Sequence, residues 1–295
     1  MKILITGATG FVGKHLVPEL LRRGHALRCV SRAEKQARLM PWYHDVEFVI
    51  QDINTDLALH DLFNDVETLI HLSWTDLANY KSIIHIETHL PDHIRFLRSA
   101  VEAGVKQILA SGTCLEYGMK NGELSEVDDV DPQVPYAIAK DSLRRYLQAL
   151  QKEFTFELKW VRLFYLYGRY QSERSLLSQL EAAIENDENV FNMSQGDQLR
   201  DFISIEKATA YMVDILENSH FDGVVNCCSG SPTSVRSFVE KRMSALNASI
   251  KLNLGFYPYP DYEPMAFWGS NEKLNEVINV TNVSHKKGKP KKGKP

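Results

Sequence analysis

Short runs of β-branched and apolar residues alternate with amphipathic helical stretches through the first part of the chain. Residues 2–6, 27–31, 46–50, 68–72 and 107–111 read as buried strands, with helical periodicity between them. Strands that are apolar on both faces must be covered on both, and right-handed crossovers then leave a parallel sheet with helices on each side. The expected fold class is α/β, a doubly wound parallel sheet. A chain of 295 residues has room for such a core without disulfides or a structural metal. From about Tyr170 the pattern changes to helices separated by irregular segments, including a Pro- and Tyr-rich stretch at 256–264, which implies a smaller C-terminal lobe. The expected units are 1–169 and 170–283, with about 203–230 returning to the first, and a basic, disordered tail at 284–295. That tail holds Lys-Lys-Gly-Lys-Pro written twice and has nothing to bury. Pro18 falls inside the first helical stretch, where a lost N–H and a ring clash cost about 3 kcal/mol, so a kink or early break is expected.

The first strand runs directly into Thr6-Gly7-Ala8-Thr9-Gly10-Phe11-Val12-Gly13, and a helix follows. A backbone can approach a diphosphate only where no Cβ intervenes, and a helix N-terminus then presents unpaired N–H groups and a positive dipole end to the anion. In this strand-to-helix context the three glycines are the fingerprint of a Rossmann-type dinucleotide site, with Gly7, Thr9, Gly10, Phe11, Val12 and Gly13 as its candidate residues. At the end of the second strand, where an acidic residue would favour NAD, stands Ser31-Arg32. A hydroxyl and a guanidinium suit a 2′-phosphate, so NADP(H) is the preferred cofactor and NAD(H) a possible one; the alternative is a solvated arginine at a strand end. By position alone, Asp52 and Ile53 could meet the adenine.

Tyr136 and Lys140 lie four residues apart on an expected helix, hence on one face. A nearby ammonium stabilises phenolate and lowers a tyrosine pKa from about 10, the tuning a proton donor needs near neutral pH. Such a pair alone is weak evidence, since it is common by chance. Upstream, Thr113 follows the fifth strand, at the sheet edge where α/β proteins bind ligands.

Together these motifs resemble the extended short-chain dehydrogenase/reductases, the NAD(P)-dependent epimerase/dehydratase family, over roughly residues 1–275. Further agreements are His71-Leu72-Ser73, Arg162, Tyr167-Gly168 and Gly196-Asp197-Gln198-Leu199-Arg200-Asp201-Phe202. The resemblance implies Tyr136 as general acid/base, Lys140 on the nicotinamide ribose, Thr113 on the reacting oxygen, Leu72 beside the cofactor and Arg200 on a substrate diphosphate. For Arg200 an ion pair with Asp197 or Asp201 is the alternative. It further implies a homodimer through helices near 94–102 and 136–151, with Phe96, Leu143 and Leu147 contributing. In the family's dehydratases the active threonine is followed by Asp-Glu; here Cys114-Leu115 follows Thr113. The expected function is therefore NADPH-dependent reduction of the 4-keto group of a nucleotide-linked 6-deoxyhexose. A nucleotide-sugar epimerase with bound NAD and a non-catalytic redox sensor are the alternatives. Three departures stand out: His89 where the family often has Asn, Tyr262-Glu263-Pro264-Met265-Ala266-Phe267-Trp268-Gly269 with no arginine where a second diphosphate arginine is common, and 279–295 in place of the family's closing helix.

Composition excludes other classes. Setting aside the six lysines of 286–295, the net charge of −4 becomes −10, a poor surface for nucleic acid. Cys29, Cys114, Cys227 and Cys228 have no zinc spacing and read as free thiols in a reducing compartment, the cytoplasm. No apolar run suits a membrane span or a secretion signal. His85, His89 and His93 recur every four residues, but Pro91 interrupts them and no further ligand is near, so packed histidines are expected and no metal.

Overall fold

The structure is a computed structural model that describes residues 1–32, 34–54 and 60–287. In chain order the elements are β1 (Lys2–Thr6), α1 (Phe11–Arg22), β2 (Ala26–Ser31), α2 (Glu34–Ala37), β3 (Glu47–Ile50), β4 (Thr68–His71), α3 (Leu90–Glu102), β5 (Gln107–Thr113), β6 (Gly122–Leu124) and α4 (Pro135–Leu150). There follow β7 (Glu157–Leu163), β8 (Tyr165–Tyr167), α5 (Leu176–Glu185), β9 (Val190–Asn192), β10 (Leu199–Ser204), α6 (Ile205–Glu217) and β11 (Gly223–Cys227). The chain closes with β12 (Pro232–Ser234), α7 (Val235–Ala245), β13 (Lys251–Asn253), β14 (Phe267–Gly269) and α8 (Glu272–Lys287).

Seven parallel strands form the main sheet in the order β3-β2-β1-β4-β5-β7-β11. The five expected strands are β1 to β5, and the Rossmann-type winding is the observed one. Alternation along β1 explains the layers. Ile3 and Ile5 face the helices α1, α6 and α8 through Leu16, Val17, Leu20, Val213 and Leu274, whereas Leu4 faces α3 and α4 through Phe96, Leu97, Leu143 and Leu147. Strand order reverses between β1 and β4, which opens a crevice at their carboxyl ends.

Three expectations need correction. Helix α1 continues past Pro18 to Arg22, so the early break does not occur. Pro18 lies on the exposed side, where water can meet the carbonyl it leaves unbonded, while Leu16, Val17 and Leu20 stay anchored in the core. Phe96, Leu143 and Leu147 are fully buried beneath the sheet and present nothing to a partner. A closing helix is present: α8 packs Leu274 and Val277 into the core and runs through Lys287, into the span expected as tail. The rest of that tail, residues 288–295, lies outside the described residues.

The smaller lobe surrounds Leu177, Leu180, Phe191, Met193 and Val239, with α5, α7 and the short β9–β13 ladder. Among the described residues no helix is long and apolar enough to cross a membrane.

Candidate active site

The crevice between β1 and β4 is a cavity of about 520 Å³. Gly7, at φ +73°, turns the chain off β1 so closely beneath β4 that a Cβ would lie 2.8 Å from the Ser73 backbone nitrogen. A Cβ on Gly13 would overlap the Gly7 carbonyl, so the first turn of α1 is pressed onto the strand it leaves. These are cradles that only glycine permits, and the N-terminus of α1 opens into the same cavity. That arrangement fits a dinucleotide diphosphate.

Thr9, Phe11, Val12, Ser31, Arg32, Asp52, Ile53 and Leu72 all line this cavity with the three glycines. Thr9 Oγ1 and Ser31 Oγ are 3.3 Å apart. The Arg32 guanidinium stands 3.4 Å from Asp52 at an exposed rim, an ion pair of little energetic weight there. Ile53 is buried as the apolar wall.

Thr113, Tyr136 and Lys140, drawn from β5 and α4, meet at the other end. Pro135 opens α4 at a position where its missing N–H costs nothing, and the Tyr136 N–H donates to the Tyr80 carbonyl at 3.1 Å. Lys140 Nζ donates to the Ser111 carbonyl at 2.9 Å and stands 4.2 Å over the Trp74 ring. Burial draws the Lys140 pKa down to about 7, against the opposing charge of Glu116. Burial likewise pushes Tyr136 well above the ordinary range, with Tyr80, Glu116 and Cys114 acting the same way and the neighbouring Thr113 hydroxyl acting against them. The phenol therefore enters the site protonated.

Thr113 is held from below. Its N–H donates to Glu116 Oε1 at 2.9 Å, and the fully buried Glu116 also accepts from Trp160 Nε1 at 3.0 Å and Arg162 Nε at 2.7 Å. Three donors hold one carboxylate and, through it, the loop that carries Thr113.

The three periodic histidines are packed and hydrogen-bonded. His85 and His89 form a π-turn ahead of α3. His85 Nδ1 accepts from Trp74 Nε1 at 3.1 Å, and His89 Nε2 lies 2.8 Å from Asp76 Oδ2 and 3.1 Å from Thr75 Oγ1. His93 Nδ1 lies 3.0 Å from His71 Nε2 and its ring stacks on Trp74 at 4.4 Å. Burial and the Lys140 charge hold the His71 pKa near 3. Among the described residues no group of three or more His, Cys, Asp or Glu side chains could hold a metal. All four cysteines are buried free thiols.

Beyond Leu166 and Gln171 a second cavity of about 510 Å³ opens in the smaller lobe. Arg200 lines it but is 1% exposed; its guanidinium donates to the carbonyls of Leu199 and Met265 and pairs with Glu263 at 3.0 Å. Neither acid expected beside it is its partner. Asp201 accepts from the N–H groups of Ser229, Gly230 and Gly269.

Sequence reasoning missed Trp74, Tyr80, Glu116 and the pairing role of Glu263. Trp74 and Tyr80 wall the reacting end, Tyr80 stacking on Tyr136 with ring centroids 5.1 Å apart. The available signal was two aromatic residues in an irregular segment just after a strand's carboxyl end.

The sequence pattern of the family described as "NAD dependent epimerase/dehydratase family" matches residues 3–228. The chain is 30% identical over 278 residues to dTDP-6-deoxy-L-talose 4-dehydrogenase (NAD(+)) of Aggregatibacter actinomycetemcomitans, covering 92% of this chain and 100% of that one. It is 24% identical to dTDP-4-dehydro-6-deoxyglucose reductase of Escherichia coli, covering 86% of this chain and 84% of that one. In fold it resembles the UDP-glucuronic acid 4-epimerase of Bacillus cereus, solved with UDP-glucuronic acid and NAD, at a TM-score of 0.82 and 23% identity over 95% of this chain and 93% of that one. With a glycine cradle, a Thr113/Tyr136/Lys140 cluster at the end of the same crevice and a family match over most of its length, the chain belongs to the NAD dependent epimerase/dehydratase family, the extended short-chain dehydrogenase/reductase enzymes.

Proposed function

We propose that this enzyme reduces the 4-keto group of a nucleotide-linked 6-deoxyhexose, with NADPH preferred as reductant. The observation that carries the reading is the convergence of Thr113, Tyr136 and Lys140 on one cavity wall, with Cys114-Leu115 after Thr113. Reduction needs one proton, which the Tyr136 phenol can supply; elimination of water needs further acid/base groups that neither Cys114 nor Leu115 supplies. Two relatives point the same way, because both are named for chemistry at C4 of a dTDP-linked 6-deoxy sugar.

The glycine turn and the N-terminus of α1 bind the cofactor diphosphate, and Ser31 with Arg32 takes the 2′-phosphate. Lys140 holds the nicotinamide ribose. When bound there, a reduced nicotinamide would supply hydride. Tyr136 donates its hydroxyl proton to the former carbonyl oxygen, which Thr113 Oγ1 orients by a hydrogen bond. Trp74 and Tyr80 keep water from the reacting atoms.

An epimerase that retains NAD would use the same three side chains, and similarity to UDP-glucose 4-epimerase of Halalkalibacterium halodurans, at 24% identity, favours that second reading. Incubation of the purified protein with NADPH or NADH and a panel of nucleotide 4-keto-6-deoxy sugars tests the two. Consumption of one NADPH per sugar is the expected result; inversion at C4 with no reductant consumed would overturn it. As a homodimer, the protein would pair through the outer side of α3 and α4, where the half-buried Ile94, Ile138 and Tyr146 lie. Light scattering at micromolar concentration should give twice the chain mass, and a monomer would contradict the pairing.

A further inference from the structure

We propose that Trp74 is a positioning residue whose indole face cradles the Lys140 ammonium and keeps that side chain in its charged form inside the crevice. The inference rests on the place given to Lys140 at the nicotinamide ribose and does not depend on the sugar. Lys140 is 2% exposed, and among the described residues no acid pairs with it. Its Nζ donates to the Ser111 carbonyl at 2.9 Å and stands 4.2 Å over the Trp74 ring. A buried charge without a paired counter-ion discharges unless its surroundings compensate. Here the compensation in contact is one carbonyl and one π face, with Glu116 adding its charge from beneath Thr113.

Trp74 is fixed for this task from two directions. An indole N–H can only donate, so His85 Nδ1 accepts from it at 3.1 Å, and His85 Nε2 donates onward to the Asn79 carbonyl at 2.9 Å. The Trp74 ring also stacks on His93 at 4.4 Å with the planes 14° apart. His93 is oriented in turn. The Ser73 N–H donates to Thr6 Oγ1 at 3.2 Å, which leaves that hydroxyl to donate to His71 Nδ1 at 2.9 Å and His71 Nε2 to donate to His93 Nδ1 at 3.0 Å. Burial favours the neutral forms of His71, His85 and His93 and the protonated forms of Tyr80, Tyr136 and Cys114, so these neighbours set no second charge against the ammonium at neutral pH. The buried histidines thus hold an aromatic face against a cation. His89, which meets Trp74 edge-on at 6.2 Å and lies 2.8 Å from Asp76, stands outside that chain of bonds.

Affinity for NADP⁺ and NAD⁺, measured by calorimetry from about pH 6 to about pH 9, tests this. In the parent, binding of the better-held cofactor should weaken as pH rises through about 7, where Lys140 loses its charge, and Lys140→Met should remove that limb. Trp74→Leu should move the limb toward acid by about one pH unit, and Trp74→Phe, which keeps a ring face, by less than about half a unit. His89→Gln should leave it in place. The cofactor's phosphates titrate alike against every variant, so the displacement between variants carries the result. A limb that stays in place in Trp74→Leu, moves as far in Trp74→Phe as in Trp74→Leu, or moves in His89→Gln would overturn the proposal. A parent without the limb, or a limb that survives Lys140→Met, would instead remove the role of Lys140 on which the inference rests.

Discussion

The crevice between β1 and β4 and the cavity of the smaller lobe are of nearly equal volume, about 520 and 510 Å³, yet they are built in different ways. The crevice sits at the carboxyl ends of strands in one parallel sheet, and its shape is set by backbone: Gly7 lies under Ser73, and Gly13 lies against Gly7. The cavity is assembled from segments distant in the chain, and a side-chain pair spanning 63 residues, Arg200 with Glu263, fixes part of its wall. A backbone-built site leaves its signature in a short motif and tolerates no added atom. A site built from side-chain pairs can change its charge with one substitution and keep its shape.

The largest effect expected is at the junction of the two. Tyr136→Phe should keep NADPH binding and lose turnover by about a hundredfold or more, the contribution of the general acid. Equal rates in steady-state assays would remove the phenol from the mechanism. Next, Gly7→Ala should weaken cofactor binding by about tenfold or more, since the added methyl meets the Ser73 nitrogen and the left-handed φ penalises any Cβ. A fluorescence titration matching the parent would break the claim that backbone shapes the crevice. Arg32→Asp should invert the preference for NADPH over NADH, a shift of about tenfold in relative affinity, since it replaces a phosphate-binding cation with a hydroxyl acceptor. Equal affinities in the parent would discard the assignment.

Acid should separate the two regions by stability. A histidine kept neutral by burial binds protons in the unfolded chain before it does so in the folded one. His71, held near 3 against an ordinary 6.5, therefore costs about 1.4 kcal/mol for each pH unit below 6.5 until its folded value is reached. Hydrogen exchange should show β4 and α3, which carry His71 and His93, losing protection before the β9–β13 lobe as pH falls. Uniform loss would contradict the contrast. The smallest effect is a proton count. With Lys140 near 7, binding of the anionic cofactor at pH 7 to 8 should take up part of a proton, detectable by calorimetry in buffers of different ionisation enthalpy and absent in Lys140→Met.

The same contrast explains what could be read from sequence. Strands β1 to β5 were legible because each is a continuous apolar run bounded by turn residues, and the glycine motif was legible because its spacing carries a steric meaning. Tyr136 and Lys140 followed from helical periodicity. The packing of Phe96, Leu143 and Leu147 was misjudged because an amphipathic stripe looks alike whether it meets a partner or its own sheet. Helix α8 was missed because, among the described residues, its deep core contacts are Leu274 and Val277, leaving little periodic signal. Glu116, beneath Thr113, and Glu263, against Arg200, read in sequence as ordinary acids; only the fold brings Trp160 and Arg162 to the first and Arg200 to the second.

The central claim is net hydride transfer from a bound reductant to C4 of the sugar, with Tyr136 supplying the proton. Turnover of a nucleotide 4-keto-6-deoxyhexose with NADPH deuterated at the transferable position of its nicotinamide, followed by mass and NMR analysis of the product, tests it most directly. One deuterium at C4 per NADPH consumed is the expected result. An isomerised product without deuterium, formed with the reductant unspent, would contradict it.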